Sequence, residues 1–360
     1  MQKRNFHTFD ALRFFAYFKV FIFHLPLLAF PAFTFIKDNG GIGVLFFFVL
    51  SGFLITYIIL EEKEQTGKLD LKHFFARRIL RIWPLYYLMI AFVYLSPFLI
   101  SALGMEASGA GYEPRPVYSL TFTENYRMIM ENDHPDTSPL GVMWSLCIEE
   151  HFYIVWGLLL FFINKRYLPH VIILSCITGI ISRMYFFHMG WKTIDLFTNI
   201  DLFALGAIPA WLLIAYGGRF EEWIRKTGIN YKRFYVLLLI TAVYVFPLCG
   251  VYFREVFMPG LLGAMFSLLI ILILPAENKF RIGRKNVLSR WGVWTYGLYL
   301  YHTIVINLFL QFFARLEWPL SDPMYAISFA IITFFVTLTI SYLSYQLFEK
   351  PFLRLKKYFY

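Results

Sequence analysis

From Gly40 to Leu60 the chain reads GGIGVLFFFVLSGFLITYIIL, without one charged residue. A helix needs about 20 mostly apolar residues to cross a bilayer, and backbone inside hydrocarbon has to satisfy its own hydrogen bonds. The same pattern recurs along the chain. Ten segments meet it, at roughly 13–33, 42–60, 83–103, 143–163, 168–187, 199–216, 234–252, 256–274, 292–313 and 324–346. The expected fold is an all-α membrane protein, a bundle of about ten transmembrane helices forming a single polytopic domain over residues 1–360, with no appended soluble domain. Composition agrees: 59% of residues are apolar and only 16% are charged, whereas soluble domains carry about 25% charge.

The net charge of +10 invites a nucleic-acid reading. The basic residues argue against it, because they fall in short loops between apolar runs rather than on one stripe. With the N-terminus on the cytoplasmic side, 24 of the 33 lysines and arginines lie in inside segments, six lie outside and three (Arg13, Lys19, Arg183) fall within spans. That asymmetry follows the positive-inside rule. It predicts a multi-pass protein of the cell (inner) membrane with both termini cytoplasmic. Lys3 and Arg4 precede the first run with no small-residue cleavage site after it, the pattern of an uncleaved signal-anchor. Cys147, Cys176 and Cys249 sit in separate apolar segments, which fits neither a disulfide framework nor a zinc site. No metal and no bound cofactor is expected. The segment 104–142, the longest between spans, is rich in turn formers, and connections of that length are usually functional or disordered.

Ionisable residues inside apolar runs single themselves out, since each costs several kcal/mol in hydrocarbon unless it faces protein or water. Arg13 and His24 lie in DALRFFAYFKVFIFH (Asp10–His24). Eleven helical residues return to within about 20° of the starting direction, about 16 Å further on, so the two share one helix face. His24 is a candidate general base, since imidazole titrates near pH ~6.5; Arg13 is a candidate anchor for an anion. Snorkelling of Arg13 and a helix-to-helix hydrogen bond from His24 are the alternatives. In KHFFARRILRIWPLYYL (Lys72–Leu88), Arg77, Arg78 and Arg81 stand at helical spacing before the third span. They read either as an interfacial helix on anionic lipid or as a wall for the phosphates of a donor.

In PLGVMWSLCIEEHFYIVW (Pro139–Trp156), Glu149 and Glu150 enter an apolar run with Ser145 and His151. Adjacent carboxylates point about 100° apart on a helix, so one of the two faces any given partner. Secondary candidates are Asp10, Ser51, Ser145, Glu150, Asp201 and His302. Ser51 and Gly52 suit close helix packing. Asp201 either pairs with Arg183 or caps a helix, His302 is a midspan histidine, and FEKPFLRLKK (Phe348–Lys357) reads most simply as a basic stop after the last span.

Taken in order, these segments resemble the membrane acyltransferase family 3, integral-membrane O-acyltransferases of surface glycans. The resemblance rests on Asp10–Arg13, the Arg13/His24 spacing, FFVLSGFLI (Phe47–Ile55), RRILRIWPLYYL (Arg77–Leu88), WSLCIEEHFY (Trp144–Tyr153), YGLYLYH (Tyr296–His302) and FEKPF (Phe348–Phe352). It implies transfer of an acyl group, acetyl by default, from cytoplasmic acyl-CoA to a hydroxyl of a surface or lipid-linked carbohydrate. It also implies His24 and Glu149 as catalytic residues, with Arg13, Arg77, Arg78 and Arg81 on the donor side. Asn199, where the family often has Arg, and His151, where it usually has Gln, depart from the pattern. The expected partners are acyl-CoA, a carbohydrate acceptor and the bilayer, with no nucleic acid. If no appended domain completes the transfer, the membrane domain or a separate outer-face protein must. The rival reading is a transporter or flippase of a lipid-linked glycan or anion, which buried charges suit equally.

Overall fold

The structure, a computed structural model, describes residues 7–27, 40–102, 104, 110–274 and 282–359. Among the described residues ten main helices run in chain order: α1 (His7–His24), α2 (Gly41–Thr66), α3 (Leu71–Ala102), α4 (Leu140–Phe162), α5 (Leu168–Met189), α6 (Leu196–Lys226), α7 (Ile229–Val245), α8 (Met258–Ile273), α9 (Thr295–Arg315) and α10 (Pro323–Ser344). Among the described residues there is no strand, only an isolated bridge between Tyr112 and Pro135.

Among the described residues, eight helical segments are long and apolar enough to cross a membrane. The other two expected spans correspond to α1, which carries Asp10, Arg13 and Lys19, and to the 16-residue α8. The expected span 13–33 runs beyond the described residues. Large apolar side chains face outward in stripes: on α5, Ile173, Ile177 and Ile181 are each about half exposed at successive i, i+4 positions. Such a stripe is stable against lipid tails and not against water. The chain is a multi-pass, all-α membrane protein.

One boundary differs from expectation and another falls at a break in the backbone. The basic segment Lys72–Leu88 is not a separate interfacial helix; α3 is continuous from Leu71 to Ala102, with Pro84 and Pro97 inside it. The expected end at 216 is where α6 breaks: Gly217, at φ 51°, has non-helical backbone and separates two helical pieces across a kink.

The chain forms two compact units. The first takes in Met1–Ala16, Gly41–Leu71 and Ile148–Gly292; the second takes in Tyr17–Gly40, Lys72–Cys147 and Val293–Tyr360.

In the first unit, α2 is the most deeply buried span. A Cβ on Gly52 would strike the carbonyl oxygen of Phe203, and one on Gly206 would strike that of Val49. α2 and α6 therefore cross backbone against backbone, the geometry small residues permit in membranes. Along α4 the partners of α2 advance in register: Glu149 with Ser51, Trp156 Nε1 donating to Thr56 Oγ1 at 2.8 Å, and Lys63 Nζ donating to the Leu160 and Ile163 carbonyls at 2.8 and 3.0 Å. Lys63 thus satisfies carbonyls that the end of α4 leaves without helical donors.

In the second unit, tyrosines on α3 tie the segment before α4 to the bundle. Tyr86 donates to the Ser119 carbonyl at 2.7 Å, and Tyr94 meets the Ser119 hydroxyl at 2.9 Å. The long connection is ordered over 110–139, with helices at Pro116–Leu120 and Glu124–Met130 and Tyr112 bonded to His134 and Asp136. Residues 105–109 of that expected loop lie outside the described residues.

Candidate active site

His24 ends α1 in the second unit, partly buried, after the apolar turn Phe21–Phe23. Its Nδ1 lies 2.9 Å from the Val20 carbonyl oxygen and 3.2 Å from Nε2 of His302, whose ring centroid is 4.9 Å away. His302, on α9, is fully buried, and its Nδ1 lies 2.7 Å from the Tyr299 carbonyl oxygen. The rings of Tyr17 and Tyr299 stand 5.9 Å from His302. The Tyr299 hydroxyl is in turn held by the Val142 carbonyl at 3.0 Å and by Ser145 Oγ at 2.9 Å. Ser145, a secondary candidate, thus anchors the tyrosine beside His302. His302, a secondary candidate, is the ring the structure sets against His24.

Glu149 belongs to the first unit. Ser51 donates to its Oε1 at 3.0 Å and the Tyr153 hydroxyl to its Oε2 at 2.9 Å. Each oxygen of a carboxylate set in an apolar helix thus has a donor, the condition for keeping it there. Glu150, one residue on, is buried on a different face, as the helical angle requires. Tyr153 is not among the residues the sequence singles out; its i, i+4 spacing from Glu149 on a helix is the signal that points to it.

The arginines have partners of their own. Arg13 donates from Nη1 to Asp10 Oδ1 at 2.6 Å, one turn earlier. Asp10 sits in the first turn of α1, where the helix dipole favours an anion. A Cβ on Gly292 would strike the Asp10 carbonyl, so the short helix Val287–Gly292 lies directly on that turn. On α3, Arg77 is buried and donates to the Phe359 carbonyl at 2.6 Å, while Arg78 lies over the Phe74 ring. Arg81 presents its charge to Glu349. Glu349 is buried at the end of a π-helical turn, Tyr345–Glu349. FEKPF is therefore more than a basic stop: it packs a carboxylate into the second unit, where Gly297 leaves room for it.

Asp201 pairs with Arg183 rather than capping a helix. Arg183 donates from Nη1 and Nη2 to the two Asp201 oxygens at 2.8 and 2.6 Å, and its Nε and Nη1 also donate to the Val256 and Thr198 carbonyls. Both residues are about 1% exposed. Gly179 and Gly260 leave the space the pair fills. With its donors and acceptors used internally, the pair reads as a structural lock between α5 and α6. Among the described residues no three His, Cys, Asp or Glu side chains gather as metal ligands.

A family model described as an acyltransferase domain matches residues 6–345. The chain is 25% identical to O-acetyltransferase OatA of Staphylococcus aureus over 95% of its own length and 56% of that protein's. It is 28% identical to YrhL of Bacillus subtilis over 95% of its length and 54% of that protein's. A third relative, peptidoglycan O-acetyltransferase OatA of Listeria monocytogenes, is 33% identical over 48% of this chain and 27% of its own length. The chain spans about half the length of the first two relatives. No solved structure matches. With the family match running through both units and all the residues described above except the last turns of the tail, the chain belongs to the acyltransferase 3 family.

Proposed function

We propose that the chain is an integral-membrane O-acyltransferase that moves an acetyl group from acyl-CoA to a hydroxyl of peptidoglycan or a related surface glycan. Support comes from the relatives' names together with one observation that carries the reading: a paired histidine at the end of an apolar helix whose hydrogen bonds orient it as a base. A carbonyl oxygen only accepts, so the Val20 contact requires a proton on His24 Nδ1 and makes Nε2 the basic nitrogen. In the proposed step Nε2 takes the proton of the acceptor hydroxyl. The hydroxyl oxygen bonds to the acyl carbon, the carbon–sulfur bond breaks, and the CoA thiolate leaves and takes up the proton. General-base assistance of this kind contributes about 10²–10⁴-fold.

Arg78 and Arg81, on the basic end of α3, are the proposed contacts for donor phosphates, with Arg77 holding the tail against the same helix. Arg13 steadies the start of α1 through Asp10 and is retained as a donor-side residue. Glu149, with Ser51 and Tyr153, is proposed to orient a hydroxyl or polarise a carbonyl. The inner membrane is the proposed location, with both termini cytoplasmic.

The test is transfer of labelled acetyl from acetyl-CoA to an N-acetylglucosamine oligomer by vesicles holding the full chain. His24→Ala should lower transfer at least about 100-fold, and Arg13→Ala should raise the KM for acetyl-CoA. Wild-type rates in both inserted variants would remove the assignment. Transfer from another acyl donor but not from acetyl-CoA would remove only the donor.

A further inference from the structure

The two carbonyl contacts settle more than the state of His24. Tyr299 O, 2.7 Å from His302 Nδ1, places a proton on that nitrogen too. A neutral imidazole with its proton on Nδ1 carries its lone pair on Nε2. That lone pair faces His24 Nδ1 across 3.2 Å. The His24 N–H is therefore shared between the Val20 carbonyl and the His302 lone pair. A second proton on His302 would put two N–H groups head to head in the same gap.

We propose that His302 is the positioning residue of the transfer reaction: with the Val20 carbonyl setting the Nδ1–H tautomer of His24, His302 fixes the plane of that ring and stabilises the imidazolium that forms when Nε2 takes the hydroxyl proton. This rests on the acyltransferase reading and adds the group that orients the base. Its logic is that of the third member of a hydrolytic triad, which orients the imidazole and faces the charge that develops. A neutral imidazole suits an apolar helix bundle better than a carboxylate, because no ion has to be desolvated between turnovers. The surroundings hold the ring still. His302 is fully buried, its Nδ1 is tied to Tyr299 O, and the Tyr299 side chain is pinned by Val142 and Ser145.

The test uses the full chain in liposomes with labelled acetyl-CoA and the N-acetylglucosamine oligomer. His302→Asn keeps a donor for the Tyr299 carbonyl but is too short to accept from His24; His302→Gln carries an acceptor at the Nε2 distance. The expected result is a fall in kcat of about 100-fold for His302→Asn, with the KM for acetyl-CoA within about threefold and His302→Gln recovering to within about tenfold. In a His24→Ala background, His302→Asn should cost nothing further, because groups that act as a unit are not additive. The second readout is nitrogen NMR of histidine-labelled protein. The pyridine-type nitrogen of His24 should be Nε2 in the wild type, and a coupling through the N–H···N hydrogen bond should link His24 Nδ1 to His302 Nε2. Equal rates for the Asn and Gln variants, a full additional loss on His24→Ala, or a wild type without coupling between His24 Nδ1 and His302 Nε2 would each overturn the proposal. A wild type that keeps the Nε2 signal but transfers no acetyl would overturn the acyltransferase reading and leave the pair's geometry standing.

Discussion

Arg183 and Asp201 show what a buried charge demands of its neighbours. The guanidinium has two carboxylate oxygens and two carbonyls as acceptors, all inside the first unit. Removing one partner of such a pair strands the other charge and costs about 3–5 kcal/mol. Arg183→Met and Asp201→Asn should therefore each lower the detergent melting temperature sharply, whereas the double Arg183→Met, Asp201→Leu variant should recover most of the loss. A double variant as unstable as the singles would mean that the pair does more than satisfy itself. The sequence placed both residues in apolar spans and left two options for Asp201. It had no means of bringing positions 18 residues apart, on successive helices, into bidentate register. His24 and His302 make the point over 278 residues: each was visible as a costly residue, and only packing makes them a pair.

At the scale of elements, the apolar runs were legible because each helix satisfies its own backbone, whereas the crossings were not. α2 meets α6 where Gly52 faces the Phe203 carbonyl and Gly206 faces Val49. Backbone cannot rotate away as a side chain can, so Gly52→Ala should destabilise the first unit by at least about 1–3 kcal/mol; a melting temperature matching the wild type would show that the helices slide. The segment at 110–139 carries a different device. Tyr112 donates to Glu124 at 2.7 Å and its ring lies under Arg127, whose guanidinium carbon is 4.2 Å from the ring centre. Burial pushes the Glu124 carboxyl above its usual range, against the opposing effects of Tyr112 and Arg127. A folded-state value above the unfolded one means that stability is fully present below the ordinary glutamate value of ~4.3 and is lost as pH rises through the raised value. Amide exchange across 110–139 should thus speed up with pH beyond its intrinsic increase, and Glu124→Gln should flatten that excess. An excess that survives in Glu124→Gln would place the titration elsewhere.

For the whole molecule, the charge asymmetry makes a prediction that packing does not: Lys68 faces the cytoplasm and Glu113 the outside. Both are exposed, as is Cys249. In a Cys249→Ser background, Glu113→Cys should react with a membrane-impermeant maleimide on intact cells, and Lys68→Cys only after the membrane is opened. The reverse pattern would invert the topology. The extended α3 belongs to this scale too, since its basic first turns continue the span rather than lying beside it. Periodicity cannot show that boundary, because a helix that leaves the bilayer keeps the same period.

By itself the sequence determined the class of fold and the expensive residues. Hydrocarbon tolerates only self-satisfied helices, and every ionisable residue inside one is conspicuous by its cost. The tertiary structure decided the partners: His302 for His24, Ser51 and Tyr153 for Glu149, Arg183 for Asp201, and a tail carbonyl for Arg77. Partnership depends on which helix faces are pressed together, and that is set by the shapes of whole helices, down to where a glycine lets two backbones touch.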